Sequence, residues 1–157
     1  MEKFESRSAI LKDLEILLTF EQGIIAAERP FDSTLDEGFI HYYDLEQLIL
    51  DDNAEVVVIT YKDQIIGSGY GLIKAAKPYL DHNTYAYLGF MYTLPEFRGK
   101  GVNSIIVAHL KEWALSKDIT EIRLTVYADN VSAIKAYEKV GFHKHLIEMR
   151  MDRKELS

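Results

Sequence analysis

Apolar residues return along this chain at two different spacings, and the switches between them mark out its elements. Leu11, Leu14, Ile16 to Leu18 and Ile24 to Ile25 recur every three or four positions, which predicts a helix from Leu11 to Ala27 that Pro30 ends. Phe4 to Ser8 reads as a short strand before it, and Phe31 to His41 as irregular chain. Asp44 is placed to cap a second helix running through Leu50, with Leu45, Leu48 and Ile49 on one face. The period then falls to two. Glu55 to Tyr61 and Gln64 to Ile73 flank Lys62-Asp63 and predict a hairpin. A loop over Lys74 to Asn83 follows, then a strand over Thr84 to Thr93. Helical spacing resumes from Val102 to Ser116, where Val102, Ile105, Ile106, Leu110 and Trp113 form a stripe. Ile122, Leu124 and Val126 alternate in a strand from Glu121 to Val126. Asn130 to Val140 reads as a helix with Ala133, Ile134, Tyr137 and Val140 inward, Gly141 as its cap, and Phe142 to Met151 as a last strand.

This order of elements defines an α/β fold with a mixed central sheet flanked by helices. The strand, helix, strand unit from Tyr85 to Val126 is expected to be parallel and right-handed. No repeat, low-complexity tract or linker divides the 157 residues, so a single domain over 1–157 is expected. Charge narrows the partners. Lys and Arg number 18 against 25 Asp and Glu, a net charge of −7 that argues against nucleic acid and anionic membrane. A cationic small molecule or basic peptide suits that field better. With no cysteine, the chain has no disulfide, thiolate metal site or cysteine nucleophile. Met1-Glu2-Lys3 opens no apolar leader and no apolar run reaches the ~20 residues of a membrane span, so a cytoplasmic protein is expected.

The chemistry concentrates at Arg98-Gly99-Lys100-Gly101-Val102-Asn103, a glycine turn between a strand and a helix. Such a turn leaves main-chain N–H groups unpaired at the positive end of a helix dipole, where a phosphate binds. Glycine lets an oxyanion reach the main chain. Arg98 and Lys100 add positive charge. The P-loop pattern is absent. Gly99-x-Gly101-x-x-Ser104 approaches the dinucleotide fingerprint, but a hairpin precedes it where that fold has a βαβ unit. Read alone, the segment is either a phosphate site or a tight turn. Gly67, Gly69 and Gly71 bare one face of their strand, either for a helix packed close or as a floor beneath a ligand. His143 and His145 share a strand face without a third ligand, which makes a weak case for a metal, and His41 and His109 read as structural.

Two segments together resemble the GNAT superfamily of N-acetyltransferases. Arg98-x-x-Gly101-x-Asn103 is similar to that family's acetyl-CoA signature, with Asn103 where Gly or Ala is usual. Asn130-x-x-Ala133-x-x-x-Tyr137-x-x-x-Gly141-Phe142 matches its second signature at every position. The resemblance implies acetyl-CoA as cosubstrate, no metal, and direct attack of a primary amine of a small molecule or peptide in a ternary complex. It implies that main-chain N–H groups of Arg98, Gly99, Lys100, Gly101, Val102 and Asn103 hold the pyrophosphate. Met91, Tyr92 and Thr93 would pair with the pantetheine arm like an added strand, where two parallel strands splay apart. Met91 or Tyr92 would also donate to the thioester oxygen. Asn130 would bond the same arm, its other reading being a plain helix cap.

Tyr137 would protonate the departing thiolate, a phenol of pKa ~10 serving a thiol of ~8.5. Its other reading is a buried, hydrogen-bonded tyrosine. Family members often place a carboxylate on the strand before the turn, and Tyr85 to Tyr92 carries none. Glu28, Asp44, His82 and Tyr85 remain as candidate terminal proton acceptors. Tyr42, Tyr43, Tyr79, Tyr85, Tyr87 and Phe39 fall in segments that line the acceptor cleft of similar proteins, and equally suit a satellite core. Dimerisation is common among such proteins, so a homodimer is allowed. The missing strand carboxylate and Asn103 keep open a second reading, a CoA-binding sensor with little turnover; a dinucleotide-binding enzyme is third.

Overall fold

A computed structural model describes residues 3–157. Five strands form one sheet in chain order: β1 (Glu5–Ser8), β2 (Ala54–Tyr61), β3 (Gln64–Ala75), β4 (Thr84–Thr93) and β5 (Ile122–Arg123). The first four are antiparallel and β4 with β5 is parallel, so the sheet is mixed, as expected. Lys62 and Asp63, with φ of 49° and 65°, form a two-residue left-handed turn. Its twist suits the hairpin that joins β2 to β3.

The helices are α1 (Leu14–Glu28), α2 (Leu45–Leu50), α3 (Val102–Ser116), α4 (Val131–Lys139) and α5 (Arg153–Leu156). Leu11–Asp13, expected as the start of α1, is one turn of 3-10 helix. Asp13 holds it in place, accepting from the Ile10 N–H at 2.8 Å and from Arg7 at 2.8 and 3.0 Å.

Both faces of the sheet are covered. Leu17, Phe20 and Ile24 of α1 and Leu45 of α2 pack on Val56, Val58, Tyr70 and Phe90. Val102, Ile106 and Leu110 of α3 pack on Val57, Ile59, Ile66 and Leu88. Successive β2 residues thus meet opposite layers, which explains an unbroken apolar run in place of an alternating one. The glycine face of β3 is the seat of α3. A Cβ on Gly69 would stand 2.5 Å from Ile106 Cγ2, and one on Gly71 2.7 Å from Trp113 Cζ3. Of the two readings of that face, close helix packing is the one found.

Two sequence expectations fail at the C-terminal end. The strand expected over Glu121 to Val126 is two residues long, and none forms from Phe142 to Met151. A strand exists only where a neighbour accepts its main chain, and among the described residues 143–151 make no main-chain hydrogen bond. The cap before it is as expected. Phe142 N–H donates to Tyr137 O and Gly141 N–H to Glu138 O, both at 3.1 Å, with Gly141 at φ 110°. The short α5, capped by Asp152 through Lys154 and Glu155 N–H, is an addition to the expected elements.

Candidate active site

The start of α3 is built by the turn before it. Leu94 N–H donates to Ile66 O at 2.9 Å, which ends β4 against β3, and a 3-10 turn over Pro95–Phe97 follows. Arg98 N–H donates to Pro95 O at 3.2 Å, so this amide is spent in the turn and leaves the expected set of phosphate donors. Its side chain clamps the strand end through Nε to Thr93 O at 2.9 Å. Gly99 and Gly101 sit at φ 77° and 84°, and no atom lies within 4 Å of the place a Cβ would take. Among the described residues, the N–H groups of Gly99, Gly101, Val102 and Asn103 make no hydrogen bond. Asn103 adds an orphan: its Nδ2 is shielded from solvent and has no partner. Open glycines, unpaired main-chain donors and a spare buried amide at the head of a 15-residue helix fit a diphosphate. Lys100 Nζ lies 5.7 Å from the Phe97 ring at the same turn.

Beside this turn the sheet opens. β4 meets β5 only at Ala86 with Ile122 and Tyr87 with Arg123. From Leu88 to Thr93, β4 keeps β3 on one side and has no β5 partner on the other. Tyr87 Oη and Thr125 Oγ1, 2.7 Å apart, mark the point of divergence. A bulge lies within the open stretch, because Ser68 pairs with Tyr92 while Tyr70 pairs with Gly89. Phe90 takes φ 57° to accommodate the extra residue, and the buried Ser68 hydroxyl donates to its carbonyl at 3.1 Å. Such a bulge re-aims the main chain next to it, here Met91, Tyr92 and Thr93. The Tyr92 ring is anchored on Phe20 at 4.8 Å, so the segment is fixed from its side-chain face while its edge stays open.

Asn130 caps α4, its Oδ1 accepting from Ala133 N–H at 3.2 Å, which leaves the NH2 group as a donor. Two turns on, the Tyr137 ring stands edge-on to Phe142 at 6.0 Å. Burial pushes its hydroxyl pKa up to about 12, with the negative charge of Glu28 and the Tyr87 phenol adding to the shift. The phenol therefore keeps its proton throughout the neutral range.

Glu28, the last residue of α1, faces this tyrosine. Burial raises its carboxyl pKa against the opposing effect of the Tyr42 hydroxyl, and Asp32 adds to the rise. The same carboxylate pushes up the phenols of Tyr42, Tyr43 and Tyr127. Tyr42 Oη is buried and stops short of a formed hydrogen bond to it. Glu21 sets this geometry from below. Fully buried, it accepts from Tyr42 and Tyr43 N–H at 2.8 Å each and lies 2.7 Å from His41 Nδ1. Tyr127 Oη donates to Asp32 at 2.8 Å, and Arg150 stands 3.6 Å from the same carboxylate.

Of the four proton acceptors weighed from sequence, three are occupied elsewhere. Asp44 caps α2 through Gln47 N–H at 3.2 Å. His82 is held between Asp81 at 2.9 Å and Arg123 at 2.8 Å, and Tyr85 lies under the Arg123 guanidinium at 4.1 Å. The aromatic group divides likewise. Tyr42, Tyr43 and Tyr87 pack against the core, whereas Phe39 and Tyr79 are exposed. Sequence reasoning missed Glu21, Asp32 and Tyr127. Glu21 carried a signal, since with Glu28, seven positions on, it interrupts the apolar stripe of α1.

A mixed sheet that parts beside a glycine-lined helix start is the framework of a CoA-dependent acyltransferase. The chain belongs to the Acetyltransferase (GNAT) family, whose model matches residues 22–142. Thialysine N-epsilon-acetyltransferase of Bos taurus is 35% identical over 77 residues, which cover 46% of this chain and 42% of that protein. The match thus spans under half of that relative. A predicted acetyltransferase from Clostridium acetobutylicum, solved with acetyl-CoA, superposes with a TM-score of 0.74 over 98% of both chains at 18% identity. An aminoglycoside N-acetyltransferase in complex with CoA gives 0.75 over 98% of this chain and 97% of that one, at 19% identity. These two likenesses establish the fold. No helix among the described residues is long and apolar enough to cross a membrane.

Proposed function

We propose that this chain is a single-domain cytoplasmic enzyme that moves the acetyl group of acetyl-CoA to a primary amine of a small molecule or peptide. The amine attacks directly in a ternary complex, and Tyr137 is the general acid. The observation that supports this reading is the parting of β4 from β5 past Tyr87, which leaves the main chain from Leu88 to Thr93 without a β5 partner. Gly99, Lys100, Gly101, Val102 and Asn103 supply main-chain donors to the diphosphate, joined by the Asn103 amide. Met91 to Thr93 take the pantetheine arm along the open edge, with the Asn130 NH2 group on its other side. Met91 or Tyr92 N–H holds the carbonyl oxygen of the acyl group. Acetyl-CoA supplies the electrophilic carbon.

Glu28 is the proton acceptor that β4 lacks. An ammonium group entering the cleft gives one proton to the Glu28 carboxylate and becomes the nucleophile. As the C–N bond forms and the C–S bond breaks, Tyr137 holds a proton at Oη for the sulfur. The second proton lost from nitrogen restores the phenol. One proton leaves overall, through Glu28. A raised carboxyl pKa makes Glu28 a stronger base than a surface carboxylate, which favours turnover over a sensor role. Two carboxylates, Glu28 and Asp32, beside Tyr42 and Tyr127 favour a cationic acceptor. The relatives named for thialysine and aminoglycosides act on amines, which agrees with this class.

Tyr137→Phe is expected to lower kcat about 10²–10⁴-fold while acetyl-CoA affinity holds, as for loss of a positioned acid. Unchanged turnover removes the acid role. Glu28→Gln is expected to abolish the acidic limb of the pH–rate profile, since the wild-type base is silenced as pH falls through its raised pKa. A limb that survives the substitution assigns the proton to another group. Acetyl-CoA binding by the wild type without thiol release across a panel of amines identifies the sensor instead.

A further inference from the structure

Tyr70 of β3 turns away from α3 into the layer of α1 and α2, where its side chain is only 7% exposed. It pairs across the strands with Gly89 of β4. A tyrosine is longer than the ~4.8 Å between neighbouring strands, so opposite a residue without a side chain it can lie right across the next strand. The ring does so. A Cβ on Gly89 would stand 2.8 Å from Tyr70 Cζ and 2.9 Å from its Oη. No further strand lies beyond Gly89, because β5 pairs with β4 only at Ala86 and Tyr87. The hydroxyl is thus carried to the open edge of β4, one residue before the bulge at Phe90. Tyr43 stands edge-on to the ring at 5.4 Å and backs it. Among the described residues the Tyr70 hydroxyl has no hydrogen-bond partner, and it is not sealed from solvent as that of Tyr42 is. A polar atom on so buried a side chain is ordinarily satisfied. Its surroundings are those of the site: Glu28 and Tyr70 both act on the Tyr43 phenol, and Tyr87 acts on those of Tyr70 and Tyr137. Burial and the Tyr87 phenol push the Tyr70 pKa up to about 12, so at neutral pH its oxygen is an uncharged acceptor.

On the acetyl transfer proposed above, we infer that the Tyr70 hydroxyl accepts an N–H of the attacking amine and thereby selects primary amines over N-methylated ones. A primary ammonium that has given one proton to Glu28 keeps two N–H bonds and a lone pair. The lone pair stays aimed at the acyl carbon only while the N–H bonds are held elsewhere, and fixing that orientation beforehand lowers the barrier. One N–H remains with the Glu28 carboxyl. Tyr70 Oη, at the edge where the acyl group lies, takes the other. An N-methyl analogue carries a methyl in place of the second N–H and leaves the Tyr70 oxygen unpaired. A site built to bond an N–H rejects an analogue that lacks it for this reason. Gly89 is the condition for the arrangement, since a side chain there displaces the ring from the edge.

The test is thiol release from acetyl-CoA with an alkyl diamine and with lysine amide, each beside the analogue methylated at its amines. The wild type is expected to favour the primary amines in kcat/KM by about tenfold or more. Tyr70→Phe keeps the ring and its seat on Gly89. It is expected to lower kcat/KM for the primary amines about tenfold, to leave the N-methyl analogues nearly unchanged, and to hold acetyl-CoA affinity by calorimetry. Gly89→Ala keeps the hydroxyl but moves it, and is expected to erase the same preference; adding Tyr70→Phe to it should then cost little more. A merely structural tyrosine would lower both kinds of amine alike. A wild type that takes both kinds equally, or a Tyr70→Phe enzyme that keeps the preference or slows both equally, overturns the inference while acetyl transfer stands. A wild type that releases no thiol with any primary amine overturns the acetyl-transfer reading itself, and this inference with it.

Discussion

From Ala9 to Ile119 the chain places fully buried side chains in α1, α2, β2, β3, β4 and α3; from Thr120 onward, among the described residues, none is fully buried, and Ile122, Leu124 and Phe142 only half-bury themselves against the core. Yet the second region holds Asn130, Tyr137 and the whole unpaired stretch, with patterning as regular as that of the first. Periodicity states which face of an element is apolar. It does not state that the chain itself covers that face. In the first region each apolar stripe meets another from the same chain, and the result is a packed core. In the second, the stripes of α4 and 143–151 meet no such counterpart among the described residues: α4 has no fully buried side chain, and Leu146, Ile147, Met149 and Met151 stand exposed. Stability is thereby separated along the sequence, carried by the first region, whereas the candidate site draws on both, with Glu28, Met91–Thr93 and Gly99–Asn103 in the first and Asn130 and Tyr137 in the second.

The largest expected effect that tests this separation is a matched pair of truncations. Leu17→Ala, at a side chain with no exposed surface, should cost about 2–5 kcal/mol in urea or thermal unfolding. Leu146→Ala, at a side chain 83% exposed, should stay within about 0.5 kcal/mol. Equal losses would break the comparison. A second pair sharpens it within the first region. Gly69→Ala forces a methyl against Ile106 and should cost about 1–3 kcal/mol with little change in acetyl-CoA affinity. Gly101→Ala has open space but a left-handed φ of 84°, so its main effect should be on acetyl-CoA binding, about tenfold or more by calorimetry.

The smallest effect concerns how the second region is tied down. Hydrogen bonds from Thr34 and Tyr127, with Arg150 nearby, lower the Asp32 carboxyl pKa to about 2. A group depressed on folding contributes stability above its unfolded value, ~3.9, and loses it as pH falls through the folded one. The melting difference between wild type and Asp32→Asn should therefore be present at pH 7 and fade from about pH 4 to pH 2. A difference that persists at the acid end would assign it to packing.

The parts of the fold legible in the sequence are those with local causes. β4 and α3 begin and end where expected because alternation, Pro95 and the glycine turn fix them within a few residues. Gly141 and Asn130 were legible as caps for the same reason. The bulge at Phe90 was not, since nothing in a phenylalanine announces a positive φ; the register between two strands imposes it. The last strand failed because its cause lies outside its own sequence. At the site, the glycine turn stood out by its residues, and Tyr137 only through the resemblance to the family's second signature. Glu28 was one of four candidate acceptors, and only the fold shows that Asp44, His82 and Tyr85 are engaged by other groups. Asp32 and Tyr127, 95 positions apart, could be joined only by folding.

The bare face of β3 has a consequence for how such an enzyme can change. Because α3 rests almost on backbone, the span from its glycine entrance to the β4 edge is set by main-chain geometry, not by the length of any side chain. Glu28 at the end of α1, and Asp32, Tyr42 and Tyr43 in the chain after it, are not part of that ruler. On the function proposed above, substitutions there are expected to change acceptor preference while acetyl-CoA binding is kept.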